Sequence, residues 1–126
     1  MTYYEERVEG FMTRNPVRID MNRTVADAIE LMASAGIRKI LLLKDGAPAG
    51  ILPLDWARSL NKDAPIFKAL AQVDFKLQRP ALVRREATFA QVKDRLLESP
   101  AVLVVDNIER PSLIEGIVTA TDMIKA

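Results

Sequence analysis

The chain repeats itself, and that limits what it can fold into. It reads NPVRIDMNRTVADAIELM, KILLLKDG and AGILPLD, then, in the same order of features, RPALVRREATFAQVKDRLL, AVLVVDN and EGIVTATD. Pro16 and Pro80 are 64 residues apart, as are Thr24 and Thr88, while Gly50 and Gly116 are 66 apart. An offset that drifts only where loops would lie marks two copies of one supersecondary unit. With 126 residues there is room for one such pair sharing a core, but not for two independent domains.

Each copy can be read element by element. After Pro16 the alternation Val17, Ile19 predicts a short strand. Thr24 then caps a helix whose apolar residues Val25, Ala28, Ile29 and Met32 fall on one face, with Asp27 completing a capping box and Gly36 supplying the stop. Lys39 to Leu43 is an aliphatic strand, Asp45-Gly46 a turn, and Gly50 to Leu52 the returning strand. Pro53 ends it, and a helix is expected through Trp56 towards Leu60. In the second copy Ala81 to Arg84, Ala101 to Val105 and Leu113 to Val118 are strands. Thr88-x-x-Gln91 opens a helix with Phe89, Val92 and Leu96 inward, and a short helix starts at Ala120. Ala64 to Gln72, with Pro65 at its first turn, reads as a linking helix.

The strands Lys39 to Leu43 and Ala101 to Val105 are apolar at nearly every position, which demands cover on both faces. Neither copy alone has enough elements to provide it. The expectation is therefore that the halves, 1–63 and 64–126, pack together about a pseudo-twofold axis with clefts beside it.

Composition removes most chemistry. The chain has no Cys and no His, so it offers no thiolate or imidazole zinc site, no disulfide, no Cys nucleophile and no His base. Asp20, Asp27 and Glu30 fall at no calcium-loop spacing, so no metal site is expected. Eighteen Lys and Arg against 17 Asp and Glu give a net charge of +1, too little to favour DNA. The surface arginines lack an aromatic stacking platform for RNA. The apolar runs are far shorter than a membrane span and the N-terminus has no apolar leader, so a soluble cytoplasmic protein is expected. Trp56 reads as a half-buried anchor and Tyr3 and Tyr4 as packing residues. Arg84-Arg85-Glu86 reads as a solvated corner.

The segments FMTRNPV at Phe11 to Val17, TVADAIELM at Thr24 to Met32 and GIVTATD at Gly116 to Asp122, each in its doubled order, resemble a CBS-domain pair, or Bateman module, over about Phe11 to Lys125. The resemblance implies a mixed α/β (α+β) fold of tandem β-α-β-β-α repeats. It also implies a stand-alone regulatory module rather than an enzyme, and a homodimer, head-to-head or head-to-tail, that signals to a protein partner.

Thr119-x-x-Asp122 places a hydroxyl and a carboxylate at a strand-to-helix turn. A ribose diol takes such a carboxylate as a double acceptor, although the same spacing is also a capping box that needs no ligand. The family resemblance implies that Asp122, Thr119 and Thr121 hold the ribose and phosphate of an adenosyl ligand in an inter-repeat cleft, together with Thr13, Val17 and Arg18. Val102 and Ile117 would be walls for the adenine. A weaker second cleft would involve Lys39, Asp55, Ala81 and Leu82, because GILPLD is one residue shorter than GIVTATD and has Pro53 in place of the Thr hydroxyl. The second repeat carries Pro100 and Ala101 where family members often carry a phosphate-pairing cation, which favours AMP or S-adenosylmethionine over ADP and ATP. The alternative is a structural dimerisation module with empty clefts.

Overall fold

A computed structural model describes residues 5–73 and 76–125; Tyr3 and Tyr4 lie outside the described residues. It is a mixed α+β fold in two compact units. One unit is Val17–Gln78. The other joins the chain up to Pro16 to everything from Arg79 onward.

With β1 (Thr13–Arg14) belonging to the other unit, the first-repeat unit holds a three-stranded sheet of β2 (Arg18–Asp20), β3 (Lys39–Lys44) and β4 (Ala47–Pro53), in that spatial order, with β2 parallel and β4 antiparallel to β3. Helix α1 (Val25–Ala35) crosses between β2 and β3, as a parallel pair requires. Its start is fixed reciprocally. The Asp27 N–H donates to Thr24 Oγ1 at 3.1 Å, and the Thr24 N–H donates to Asp27 Oδ2 at 3.3 Å. Gly36, at φ 67°, ends the helix in the left-handed region where a Cβ would be strained. Asp45 and Gly46, both at positive φ, make the tight β3–β4 turn. Val25, Ala28 and Met32 on α1 close over Ile40, Leu42 and Leu52, and Leu54, Ala57 and Leu60 extend the core towards Ile66, Ala69 and Leu70. Here α2 (Leu54–Ala57) is only one turn and stops short of Leu60, while α3 (Ile66–Ala71) follows Pro65. Ile40, Leu41 and Leu42 are all buried, so β3 is covered on both faces as its composition requires.

The other unit is built on the same plan and has one more strand. Its sheet runs β1 (Thr13–Arg14), β7 (Ile114–Val118), β6 (Val102–Val105), β5 (Ala81–Val83), and α4 (Phe89–Leu96) crosses between β5 and β6. Thr88 and Gln91 repeat the reciprocal cap. Val83, Val92, Val102, Val104 and Val118 form the core, and Val8, at 0% exposed, joins it from the N-terminal segment. That segment is tied in by backbone bonds, Val8 N–H to Ala87 O at 2.7 Å and Phe89 N–H to Glu6 O at 2.8 Å, and by an edge-on contact of Phe11 with Phe89 at 5.5 Å between ring centroids. The sequence repeat divides the chain near residue 63, but the compact units exchange segments. Residues ahead of the first repeat complete the second-repeat sheet, and the linking helix α3 with Leu77 and Gln78 stays with the first.

The same contact closes both sheet edges. A Cβ on Gly116 would lie 2.4 Å from Met12 Sδ and 2.7 Å from its Cγ, and a Cβ on Gly50 would lie 2.9 Å from Leu77 Cβ. Beside these glycines Thr13 pairs with Ile117, and Gln78 pairs with Ile51. Each repeat also carries a bulge at the matching place, between Leu42 and Leu43 and between Val104 and Val105.

Two side chains hold long-range or loop geometry in the second-repeat unit. Arg85 donates to Glu115, whose side chain is only 12% exposed, so this residue ties the turn after β5 to β7 and is not merely a solvated corner. Asp106 gathers the loop after β6, accepting from the Ser112 hydroxyl and from the backbone N–H groups of Asn107, Ser112 and Leu113. These bonds, that from the Ser112 hydroxyl foremost, lower its pKa to about 2.

Gly116→Ala should lower stability in urea denaturation by about 1–3 kcal/mol, because Met12 must leave its place, and adding Met12→Ala should recover part of the loss. For Asp106 the folded-state pKa lies below the unfolded value of about 3.9, so its contribution is complete above that pH and fades as pH falls towards about 2. Thermal midpoints of Asp106→Asn should therefore fall less steeply than wild type between about pH 4 and pH 2.

Candidate functional site

The second-repeat unit brings Thr119, Thr121 and Asp122 together where β7 gives way to α5 (Ala120–Lys125). β7 ends at Val118, which is buried in the core and fixes the strand's exit, so Thr119 becomes the residue before the first helical turn. Asp122 then folds back on it. Its Oδ2 accepts the Thr119 N–H at 2.8 Å and the Thr119 hydroxyl at 3.3 Å, while Asp122 N–H and Met123 N–H both donate to Thr119 O. This is the carboxylate half of a capping box. The Thr119 hydroxyl donates to Asp122 instead of accepting from its amide.

The arrangement leaves chemistry to spare. Asp122 is half-buried, and among the described residues its Oδ1 accepts no hydrogen bond, so that oxygen keeps two lone pairs. The Thr119 hydroxyl, its hydrogen directed at the carboxylate, keeps its own acceptor lone pairs. A vicinal diol matches this set, since it can donate to Oδ1 through one or both hydroxyls. Thr121 is exposed on the first turn of α5. Thr13 is exposed on β1 directly opposite Ile117, two positions before Thr119, so the N-terminal segment reaches the same end of the sheet. Ile117 is half-buried on the strand face opposite Val118.

The remaining expected residues are placed differently. Val102 is 0% exposed and belongs to the core beside Val83, Val104 and Val118, so its side chain is already spent on packing and is no free wall for a ring. Val17 packs on the first-repeat core, and Arg18, half-buried on β2, opens into a recess of about 540 Å³ with Asp20, Arg23, Asp27 and Glu30. Arg23 holds the Asp27 carboxyl below its usual range, and the Thr24 amide adds to this. Of the weaker set, Ala81 and Leu82 are half-buried in β5, pairing with Val102 and Leu103, while Lys39 is exposed at the start of β3 opposite Pro53.

Asp55 is not the counterpart of Asp122. Pro53 precedes α2 as Thr119 precedes α5, so the two turns run in register without a gap and the residue matching Asp122 is Trp56. Asp55 instead accepts from Arg38 Nη2 at 2.9 Å and lies 3.9 Å from Arg58 Nη1. Trp56 is 44% exposed beside a recess of about 140 Å³ with Ser59, Leu60, Leu70 and Val73. Sequence reasoning missed Met12, which lies across Gly116 and carries Thr13 into place; the repeated glycines were the signal that could have found it. Among the described residues no cluster of His, Cys, Asp and Glu could hold a metal ion, and no helix is long and apolar enough to cross a membrane.

Comparison with known proteins agrees with this architecture. Residues 8–55 match the family model for the CBS domain. No curated protein matches the sequence significantly. Among solved structures, a hemolysin-like protein containing a CBS domain from Oenococcus oeni PSU is similar at 16% identity and a TM-score of 0.78, over 98% of this chain and 90% of that one. The CBS domain of the bacterial CNNM/CorC family Mg2+ transporter is similar at 17% identity and a TM-score of 0.76, over 98% and 75%. A conserved CBS domain protein of unknown function from Thermoplasma acidophilum is similar at 24% identity and a TM-score of 0.69, over 94% and 67%. Residues 8–55 thus match the CBS-domain model, and the chain has the fold of CBS-domain proteins. Such domains are generally regulatory modules that commonly bind adenosyl ligands, not catalysts.

Proposed function

We propose that the chain is a non-catalytic regulatory module that takes an adenosyl ligand, AMP foremost, at the Thr119–Asp122 turn, and passes occupancy on by changing the geometry of a homodimer or of a complex with a protein partner. The observation that carries this reading is a carboxylate held through one oxygen only. Asp122 is held by the Thr119 N–H and hydroxyl through one oxygen, and its other oxygen is left to receive a ribose diol. Thr13 and Thr121 stand exposed nearby as further polar partners, and Ile117 offers an apolar flank. With Pro100 and Ala101 ahead of β6, little charge is provided for a polyphosphate, so AMP or S-adenosylmethionine fits better than ADP or ATP. A bound ligand can bias the module only by its difference in affinity between two geometries, which limits the size of any signal.

One observation favours a second reading, a structural dimerisation module. Asp122 already caps its own turn, so the motif is satisfied without a ligand.

Calorimetric titration with AMP separates the two. Hydrogen bonds to a charged group are worth about 1.5–3 kcal/mol, so Asp122→Ala should weaken AMP binding at least about tenfold. Its cost in stability should be about 1 kcal/mol, that of a lost cap. Asp122→Asn should keep most of the cap yet still lose the double acceptor and its charge. Unchanged affinity in both variants, or no binding by wild type, would refute the nucleotide reading.

A further inference from the structure

We infer that each chain takes up a single adenosyl ligand, at the second repeat, because the matching turn of the first repeat has Pro53 in place of Thr119 and Trp56 in place of Asp122 and so lacks the groups that would hold a ribose. This rests on the proposed reading of Thr119–Asp122, and the comparison of the two turns carries it. Gly50 and Gly116 each lie against a crossing segment, at Leu77 and Met12. Ile51 and Ile117 each pair with that segment, at Gln78 and Thr13. Pro53 and Thr119 each stand immediately ahead of a helix.

Counting on from that register, Leu54 answers to Ala120, Asp55 to Thr121 and Trp56 to Asp122. Each change removes a group that a diol needs. Pro53 has no hydroxyl, and it also lacks the N–H that would draw a carboxylate back to the start of the helix as Thr119 draws Asp122. Trp56 supplies one donor and no acceptor where Asp122 supplies an open carboxylate oxygen. The carboxylate of this turn, Asp55, stands one position early, about 100° around the helix from the place of Asp122. There it faces Arg38 at 2.9 Å and Arg58 at 3.9 Å. The Leu54 N–H donates to Arg38 O at 2.7 Å, so the same arginine meets the turn through both its backbone and its side chain. The carboxylate of the first-repeat turn thus links α2 to the start of β3 through Oδ1 and does not stand where Asp122 stands.

Equilibrium dialysis of labelled AMP against the full chain counts the sites. Wild type should saturate at one AMP per chain. Asp55→Ala should keep both that number and, within about twofold, the dissociation constant, while Asp122→Asn should weaken binding by tenfold or more. Saturation at two AMP per chain, or a loss in Asp55→Ala as large as that in Asp122→Asn, overturns the single-site inference and leaves the proposed function standing. Failure of wild type to retain any AMP overturns both.

Discussion

Both units of this protein depend on one close approach, a chain segment laid across a glycine at the outer edge of a sheet. At Gly116 the crossing residue is Met12, at Gly50 it is Leu77, and in each case a side chain on the glycine would occupy space the segment already fills. The crossing allows the next residues to pair, Thr13 with Ile117 and Gln78 with Ile51, so strands that would otherwise present an open edge are closed over part of their length. In the second-repeat unit the crossing segment also delivers Val8 to the core and accepts a backbone bond from Phe89 through Glu6. Residues far apart in sequence are thereby made one folding unit.

The candidate site inherits its geometry from that arrangement. β7 is held on one side by β6 and on the other by β1, and Val118 is anchored in the core, so the chain leaves the strand in a fixed direction and Thr119 meets Asp122 across the first turn of α5. Thr13 arrives at the same end because it pairs with Ile117. A carboxylate that serves as a helix cap through one oxygen and remains open at the other can be both structural and ligand-binding.

Much of this was legible in the sequence where the signal is local. The reciprocal caps at Thr24 with Asp27 and at Thr88 with Gln91, the stop at Gly36 and the Asp45-Gly46 turn each stand where their spacing predicts, because their bonds span only a few residues. The repeated glycines were visible too, but not their cause, since Met12 and Leu77 sit in segments that belong by sequence to the other repeat. The two-residue β1 is too short to show an alternating pattern. Arg85 looked like a solvated corner because its partner, Glu115, is 30 positions away. Val102 looked like a wall for a ring, yet every residue of β6 is buried, and an all-apolar run does not reveal which face is spent on packing. Asp55 was matched to Asp122 by residue type, whereas the strands and helix starts match it to Thr121.

Amide hydrogen exchange across the whole chain tests the segment crossing most directly. If the N-terminal segment is part of the second-repeat unit, the amides of Val8 and Phe89, bonded to Ala87 and Glu6, should open together with those of Val102 to Val105 and share their protection. Exchange at Val8 and Phe89 at the rate of an unstructured peptide, while the β6 and β7 amides stay protected, would contradict the account.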